Sequence, residues 1–331
     1  MKTLINKLFA VLICTFSFAN GHAFAQEVSY ELETKTLPVS EFTSFSVEDD
    51  FEVSLVKGPQ NVKLTAYRDL MPYIQVYVRG KVLFITYDER SVPKDVKKLY
   101  KGGKGGTEPI FQVTISLSEL NGVTLGNNAV LTASDEFVGN RFEMTLGDKT
   151  QVKNLNLRVS TATLNMKKNA QAVMTVVADK KLEVDTDGNA NLKLTANAPE
   201  MQLNAAGSSD WALVATADET VELSTAGSSE LIVSVKTKKM VLQTAGSSKM
   251  TFSGDADSLE IKGEKSSQVE AKGLAVKTVD ANLSGNARVD VSVSKSIQAT
   301  LVGGSSLYYT GSPSIQIGKI IKSTLAPSGS K

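Results

Sequence analysis

A column of acidic and polar residues recurs through the chain at intervals of about twenty positions. Only two of its acids fall in consecutive repeats, Glu260 and Asp280, while Asp185 and Asp187 follow Glu183 on one strand face. Clustered carboxylates can carry acid–base hydrolysis of a glycan or hold calcium. We interpret the column as a solvated strand face, and its alternative is the site of a carbohydrate-active enzyme. The column reads Glu143, Thr163, Glu183, Gln202, Glu222, Val241, Glu260 and Asp280.

Lysines are concentrated in segment 94–104, and a Gly-Gly-Lys-Gly-Gly run occupies 102–106. Its candidate ligand contacts are Lys97, Lys98, Lys101 and Lys104. Ammonium groups at this density could contact anionic glycan or lipid head groups. The plainer interpretation is a solubilising loop with almost no apolar content, whose deletion would leave stability unchanged. The run lacks the strand and helix context of a phosphate-binding loop, so we expect no nucleotide there.

The first 25 residues have the pattern of a signal peptide. Lys2 and Lys7 precede a short apolar stretch, and Ala23-Phe24-Ala25 fits a cleavage site before Gln26. Cys14 follows a bulky residue inside the apolar stretch, so we do not expect lipidation there. We therefore expect an exported protein, in the periplasm, at the outer-membrane surface or secreted.

Cleavage would remove the only cysteine, Cys14, and the only histidine, His22. The remaining chain could form neither a Ser-His-Asp nor a Cys-His site, nor a zinc site built on these residues. The recurring serines Ser208, Ser228 and Ser247 have no base beside them and suit turns. We expect no cofactor, no metal and no catalysis.

Charge and hydropathy limit the partners. Without the signal peptide the chain carries 34 basic and 35 acidic residues, a balance that gives no long-range attraction to nucleic acid. No later stretch approaches the roughly 20 apolar residues of a membrane span. We expect neither nucleic-acid binding nor a membrane span.

The elements that position these residues are repeats. An Ala-Gly-Ser-Ser sequence occurs at 206–209, 226–229 and 245–248, and degenerate copies extend the series to ten between residues 127 and 306. The residue after the alanine, which we call the first corner position, is usually glycine. Glycine permits the positive φ of a tight corner. Asn127 and Asp148 are types that tolerate this backbone, whereas Lys168 and Lys265 depart from the rule. The corner glycines are Gly188, Gly207, Gly227, Gly246, Gly285 and Gly304.

Strand-like alternation flanks every corner. Two residues beyond each corner lies an apolar position, which includes the only tryptophan, Trp211, as a core residue. Short strands joined by one kind of corner and repeated about every twenty residues are typical of a stacked solenoid. The sequence therefore predicts an all-β parallel β-helix of about ten regular coils. The apolar positions are Leu131, Val152, Ala172, Leu192, Trp211, Leu231, Met250, Val269, Val289 and Tyr308.

The predicted organisation has four parts. Residues 1–25 are the signal peptide, and 26–120 form irregular coils with an N-terminal β cap. Residues 121–311 are the regular coils, and 312–331 are a C-terminal cap over the other open end, with a disordered tail from Ala326. We also expect Gly227→Asn to be tolerated clearly better than Gly227→Val.

The N-terminal strands resemble a known family. Residues 42–47, 51–58, 62–66 and 80–85 read FTSFSV, FEVSLVKG, VKLTA and GKVLFI. With the later Ala-Gly-Ser-Ser corners they resemble the putative auto-transporter adhesin head GIN domain family, common in Bacteroidetes, over roughly residues 40–310. The resemblance implies an exported β-helical domain whose biochemical role is not established, and it supplies no catalytic residues.

These observations favour a non-catalytic envelope or cell-surface β-helix that acts as a structural or binding, adhesin-like module. Its partner would be an envelope or host glycan or protein. Two alternatives stay open: a polysaccharide lyase or hydrolase that uses surface carboxylates, and a self-associating scaffold whose rods join end to end or side by side.

Overall fold

The computed structural model describes residues 30–100 and 107–329, of which those from Glu31 onward form one compact unit. The predicted signal peptide, Lys101, Lys104 and residues 330–331 lie outside the described residues. None of the described helices has the length and apolar content of a membrane span. The first part of the chain contains β1 (Leu32–Thr36), β2 (Ser44–Val47), β3 (Glu52–Lys57), β4 (Asn61–Tyr67), β5 (Ile74–Arg79), β6 (Val82–Tyr87), α1 (Lys94–Leu99) and β7 (Phe111–Leu117).

The rest of the chain is a stack of coils, so the predicted all-β parallel β-helix is confirmed. Each coil has a pre-corner strand, a corner, a post-corner strand and a bend, and its strands pair in parallel with the coils on either side. The strands are β8 (Gly122–Leu125), β9 (Val130–Ala133), β10 (Glu136–Val138), β11 (Arg141–Leu146), β12 (Gln151–Lys168), β13 (Gln171–Gly188), β14 (Asn191–Asn197), β15 (Glu200–Ala205), β16 (Asp210–Thr225), β17 (Glu230–Thr244), β18 (Lys249–Gly263), β19 (Gln268–Leu283), β20 (Arg288–Val302), β21 (Ser306–Thr310), β22 (Ser314–Ile321) and β23 (Thr324–Pro327).

Alternate side chains point into one continuous apolar core. β17 shows the pattern, because Leu231, Val233 and Val235 are buried while the residues between them are exposed. Trp211 lies in this core at 3% exposure, and its Nε1 donates to Thr186 Oγ1 at 3.1 Å. The hydrogen bond satisfies the one polar group of the indole, which allows the side chain to be buried.

The corners have left-handed backbone, as their residue types indicate. All six predicted corner glycines have positive φ, and so do Lys168 and Lys265. A Cβ on Gly227 would lie 2.3 Å from the carbonyl oxygen of Gly207 in the preceding coil. Any side chain there collides with backbone, so asparagine loses the advantage over valine that the sequence suggested.

Two of the predicted corner positions are shifted by one residue. At the second corner the positive φ belongs to Lys149, not to Asp148. In the last regular coil Val289 pairs with Leu307, which is fully buried, whereas Tyr308 is only partly buried. Gly303 thus stacks on Gly285 in the first corner position, and Gly304 occupies the second. This coil is shorter than the others, and a fixed spacing misplaces its core residue.

At the N-terminal end, the order of the strands in the stack differs from their order in the chain. β2 and β3 lie between two coils, since β2 pairs in parallel with both β6 and β8, and β3 with both β7 and β9. Antiparallel strands then cover the outermost coil: β4 pairs with β7, β1 with β4, and β5 with β6. The parallel ladder therefore ends under antiparallel strands at this end.

The C-terminal segment is not a cover, which corrects the expectation of a cap over 312–331. β22 and β23 form one more coil, paired in parallel with β20 and β21. Ile315, Ile317 and Ile321 are exposed there. The predicted disordered tail is also wrong at its start, because Ala326 and Pro327 belong to β23. The apolar alternation that suggested a cap is the core pattern of a last coil with no further coil on it.

Candidate binding grooves

A groove of about 810 Å³ crosses the bends of successive coils in the C-terminal half of the solenoid. We call it the bend groove. It runs from Asp218 to Ser312 and is lined by one short segment of each coil. At roughly 4.8 Å per coil it is an open trough some 20–25 Å long. Its lining residues are 216–218, 236–238, 255–257, 275–277, 292–294 and 311–312.

Irregular coils surround this groove. The pairing of β18 with β19 shifts register between Thr251 and Ser253, and that of β19 with β20 shifts between Ala271 and Ala275. Gly254, beside the first shift, has a φ of +108°. Bulges of this kind bend strands and redirect side chains, so coils of unequal length leave a depression where they meet.

Charges alternate along the bend groove. Asp218, Lys238, Asp257 and Lys277 occupy its successive coils. The Nζ of Lys277 lies 2.6 Å from Asp257 Oδ1, and this hydrogen bond, with the positive charge of the lysine, lowers the pKa of the Asp257 carboxyl. With its serine and threonine hydroxyls, the groove offers donors and acceptors to a polar chain without a strong net charge.

A second groove, of about 450 Å³, lies on the pre-corner strands. It contains Glu260 and Asp280, which are direct register partners on adjacent coils, as the spacing of the column predicts. Lys239 pairs with Glu260 at 3.4 Å, and both of these side chains are more than half exposed. The carboxylates thus lie side by side on an open strand face. We call this the pre-corner groove.

Three of the other predicted acids are engaged by their neighbours. Glu183 pairs with Lys181 at 2.6 Å, and Asp185 accepts a hydrogen bond from Asn204 Nδ2 at 2.7 Å. Asp187 accepts from the backbone N–H of Gly188 at 2.8 Å. These contacts describe a polar strand face. Within the described residues, no three His, Cys, Asp or Glu side chains are grouped to hold a metal ion.

A third surface is apolar and lies on the post-corner strands. Val173, Val214 and Ile232 are 43%, 53% and 62% exposed, respectively, and line a shallow groove of about 330 Å³. Ala212 also points outward, and it is in register with Ile232 on the next coil. We call it the apolar patch. It is a flat sheet surface without a deep pocket.

The lysine segment is not the loop that its composition suggested. Lys94–Leu99 is helix α1, and Tyr100 after it is buried against Tyr67, with their ring centroids 5.0 Å apart. Val96 and Leu99, three positions apart, pack against the core. The expectation that the segment buries nothing is therefore wrong.

The charged part of that segment is only partly described. Lys97 is half-buried in α1 and Lys98 is exposed. Neither lines the three grooves above. Their role as ligand contacts stays a prediction.

Sequence reasoning located the pre-corner groove through its acidic column but missed the bend groove. The missed signal was a second column, one charge per coil, at the bends: Asp218, Lys238, Asp257 and Lys277. Only the corner supplied a recognisable motif, because the bend has no fixed residue type. The shifts of register that surround the groove have no repeated sequence mark.

The fold and its surface define the class of this protein: a parallel β-solenoid with open grooves along its sides. The chain belongs to the family described as putative auto-transporter adhesin, head GIN domain, whose model matches residues 41–214 and 212–313. The resemblance noted in the sequence is thereby confirmed. A family of this adhesin type suggests an exported or surface protein.

Solved structures that are similar to the chain come from Parabacteroides and Bacteroides species. A putative adhesin from Parabacteroides merdae is 18% identical, with 90% of this chain and 97% of that chain covered and a TM-score of 0.35. A putative lipid binding protein from Parabacteroides distasonis is 15% identical, with 90% and 98% covered and a TM-score of 0.37. A putative adhesin from Bacteroides fragilis is 16% identical, with 90% and 98% covered and a TM-score of 0.27. A search of curated proteins finds no match.

Proposed function

We propose that this protein is an exported, non-catalytic, adhesin-like binding module that holds an extended glycan in its bend groove. After removal of the signal peptide it acts in the periplasm or at the cell surface. The observation that carries the proposal is the groove's form, an open trough that crosses successive coils. Such a shape accepts a linear chain of indefinite length and does not enclose a small molecule.

The lining supports a glycan over an apolar ligand. Hydroxyls of Thr216, Ser292 and Ser294 line the groove together with charged side chains of both signs. Sugar hydroxyls can donate to carboxylates and accept from ammonium groups, and such charge-assisted hydrogen bonds are the stronger kind. Balanced charge leaves no preference for a strongly anionic polymer.

The absence of catalysis is part of the proposal. A general acid in a glycosidase is held in an environment that keeps it protonated at the working pH, commonly by shielding from water. Glu260 is 58% exposed and is paired with Lys239. A site of this kind is suited to holding a ligand by hydrogen bonds.

The test is binding of the labelled protein to an array of purified bacterial envelope and host mucin glycans. We expect Ala275→Trp, which places an indole in the bend groove, to abolish binding to the glycans recognised by the wild type. Ala212→Trp is the matched control, since Ala212 is also an exposed outward alanine but lies on the apolar patch. Equal binding by both variants, or no binding by the wild type, would contradict the proposal.

A second function is favoured by one observation. Glu260 and Asp280 are register partners, so their side chains extend from neighbouring positions on adjacent coils, and retaining glycosidases also place two carboxyls close together, about 5 to 5.5 Å apart. Incubating each bound glycan with the protein and measuring new reducing ends or unsaturated products tests this function. Cleavage by the wild type that is lost in Glu260→Gln/Asp280→Asn would establish an enzyme in place of a binding module.

A further inference from the structure

The last coil leaves both a strand edge and the solenoid core uncovered. β22 and β23 pair with β20 and β21 on one side, and no described strand pairs with their other side. Ile315 and Ile317 are in register with the buried Ile297 and Ala299, and therefore point into the core. They are nevertheless 40% and 58% exposed, because no coil among the described residues lies beyond them.

Edge protection is uneven at this end: β23 is only four residues long and ends in Pro327, whereas β22 is protected only by Lys319 and a register shift at Gly318. Exposed edges are commonly blunted by several charges, by short strands or by a covering segment. β22 is eight residues long, and residues 312–329 contain no acid and only two lysines, Lys319 and Lys322. The backbone edge and the isoleucines together form a surface that favours strand addition.

A two-fold arrangement is the simplest way for a second copy to cover this end. Head-to-tail stacking would need a free parallel edge at the N-terminal end, but β1, β4 and β5 cover that end in antiparallel pairing. A two-fold arrangement needs only the C-terminal ends of both copies. It also closes after two chains and cannot grow into a fibre.

We propose that two copies of this protein join through their C-terminal coils, with β22 antiparallel to β22 of the partner. In the two-fold register centred between Ile317 and Gly318, Ile315 faces the partner's Ile320. Ile320 is in register with the buried Leu301, so both of these side chains belong to the core side. Opposite residues of an antiparallel pair lie on the same face, so the two cores become continuous.

The same register suits the outward side chains. Gln316 faces the partner's Lys319, and the two Lys319 side chains do not oppose each other. This register depends on the bulge at Gly318, the extra residue between Ile317 and Lys319, which puts Ile315 and Ile320 on the same face of β22. At the two-fold axis Ile317 lies opposite the partner's Gly318, which has no side chain. The strand sequence from Ser314 to Ile321 is thus complementary to itself when reversed.

The area of the proposed contact indicates how tightly the two copies associate. An eight-residue strand is roughly 27 Å long, and with the second sheet about 10 Å away the end covers roughly 500 Å² including side chains. Two copies then bury on the order of 1,000 Å², the lower limit for a specific interface. The dimer should dissociate in the micromolar range, so its population depends on concentration.

Sedimentation equilibrium of the purified protein at roughly 1 to 100 µM tests the proposal. We expect the wild type to pass from monomer to dimer, and Ile317→Lys to weaken association at least about 100-fold because it buries an unpaired charge. Ile232→Lys is the matched control, since Ile232 is equally exposed but lies on the apolar patch, and it should leave association unchanged. Circular dichroism verifies that both variants keep the fold.

A charge change tests the register itself. Gln316→Glu places a carboxylate opposite the partner's Lys319 twice per dimer and should tighten association about tenfold at low salt. Gln316→Lys places like charges opposite each other and should weaken it by a similar factor. A wild type that stays monomeric, assemblies larger than dimers, a dimer unaffected by Ile317→Lys, or Gln316 variants that do not differ would each overturn the proposal.

Discussion

The two ends of the solenoid differ in whether their outermost coil is covered. At the N-terminal end, β1, β4 and β5 cover the outermost coil, and Tyr100 and the apolar side of α1 pack against the core. At the C-terminal end, the last coil has the same apolar positions as the coil before it and nothing described lies over them. A repeat supplies core residues but no cover, so an end is closed only where the sequence leaves the repeat.

The largest expected effect lies in the regular coils between the two ends, which we call the shaft. Gly227→Val combines left-handed strain with a Cβ 2.3 Å from the Gly207 carbonyl, and should cost about 3 kcal/mol or more of unfolding free energy. Gly227→Asn should cost nearly as much. Chemical denaturation measures both, with the exposed Glu230→Gln as a control below about 0.5 kcal/mol. An asparagine variant as stable as the wild type would show that the corner relaxes.

The next prediction compares the ends directly. Tyr100→Ala removes a buried ring from the closed end and should cost about 3 kcal/mol. Ile317→Ala at the open end should cost less than about 1 kcal/mol, since the side chain is mostly exposed. Both are measured by denaturation at a concentration where the protein is monomeric. Equal costs would mean that the isoleucine is covered in the monomer and that the comparison is mistaken.

Alkaline pH should loosen the closed end. Burial, with help from the nearby Glu89 carboxylate, raises the pKa of Tyr87 from 10.0 to about 12. The folded protein therefore holds this proton more tightly, and the contribution to stability is complete below pH 10 and lost as pH rises through 12. Hydrogen exchange near β6 should accelerate between pH 10 and 12 beyond the ordinary base catalysis seen in the shaft. Tyr87→Phe should remove that excess.

Acid is expected to have the smallest effect and not to distinguish the ends. The Ser91 hydroxyl lowers the pKa of Asp88 near α1, and Lys277 lowers that of Asp257 in the bend groove. Both carboxylates stabilise the fold above their unfolded pKa near 4, and this contribution is lost as pH falls through their folded values. Because neither side chain is buried, solvent screens both charges, and Asp88→Asn and Asp257→Asn should each shift the acid midpoint only slightly. A large shift for one of them would reveal a buried network.

The sequence was sufficient for the shaft, because a twenty-residue period imposes the same corner, strands and core on every coil. It also placed Glu260 and Asp280 on adjacent coils, since register follows from the period. It failed wherever the period breaks. The short last regular coil moved the core position from Tyr308 to Leu307, and the unequal coils at the bend groove left no repeated mark. Tyr100 was overlooked because one aromatic residue among lysines gives no periodic signal.

The position of β2 and β3 between two later coils has a consequence for how the chain is made. A protein synthesised or exported N-terminus first presents residues 44–57 well before residues 82–117 and 122–133, which must pair on either side of them. Those early strands keep open edges until more than 130 residues have emerged, whereas every later coil is added to a finished rung. Long-range closure of this kind is slow and exposes chains to misassembly, so the closed end of the molecule should be the slow step of its folding and the stage at which chaperones matter most.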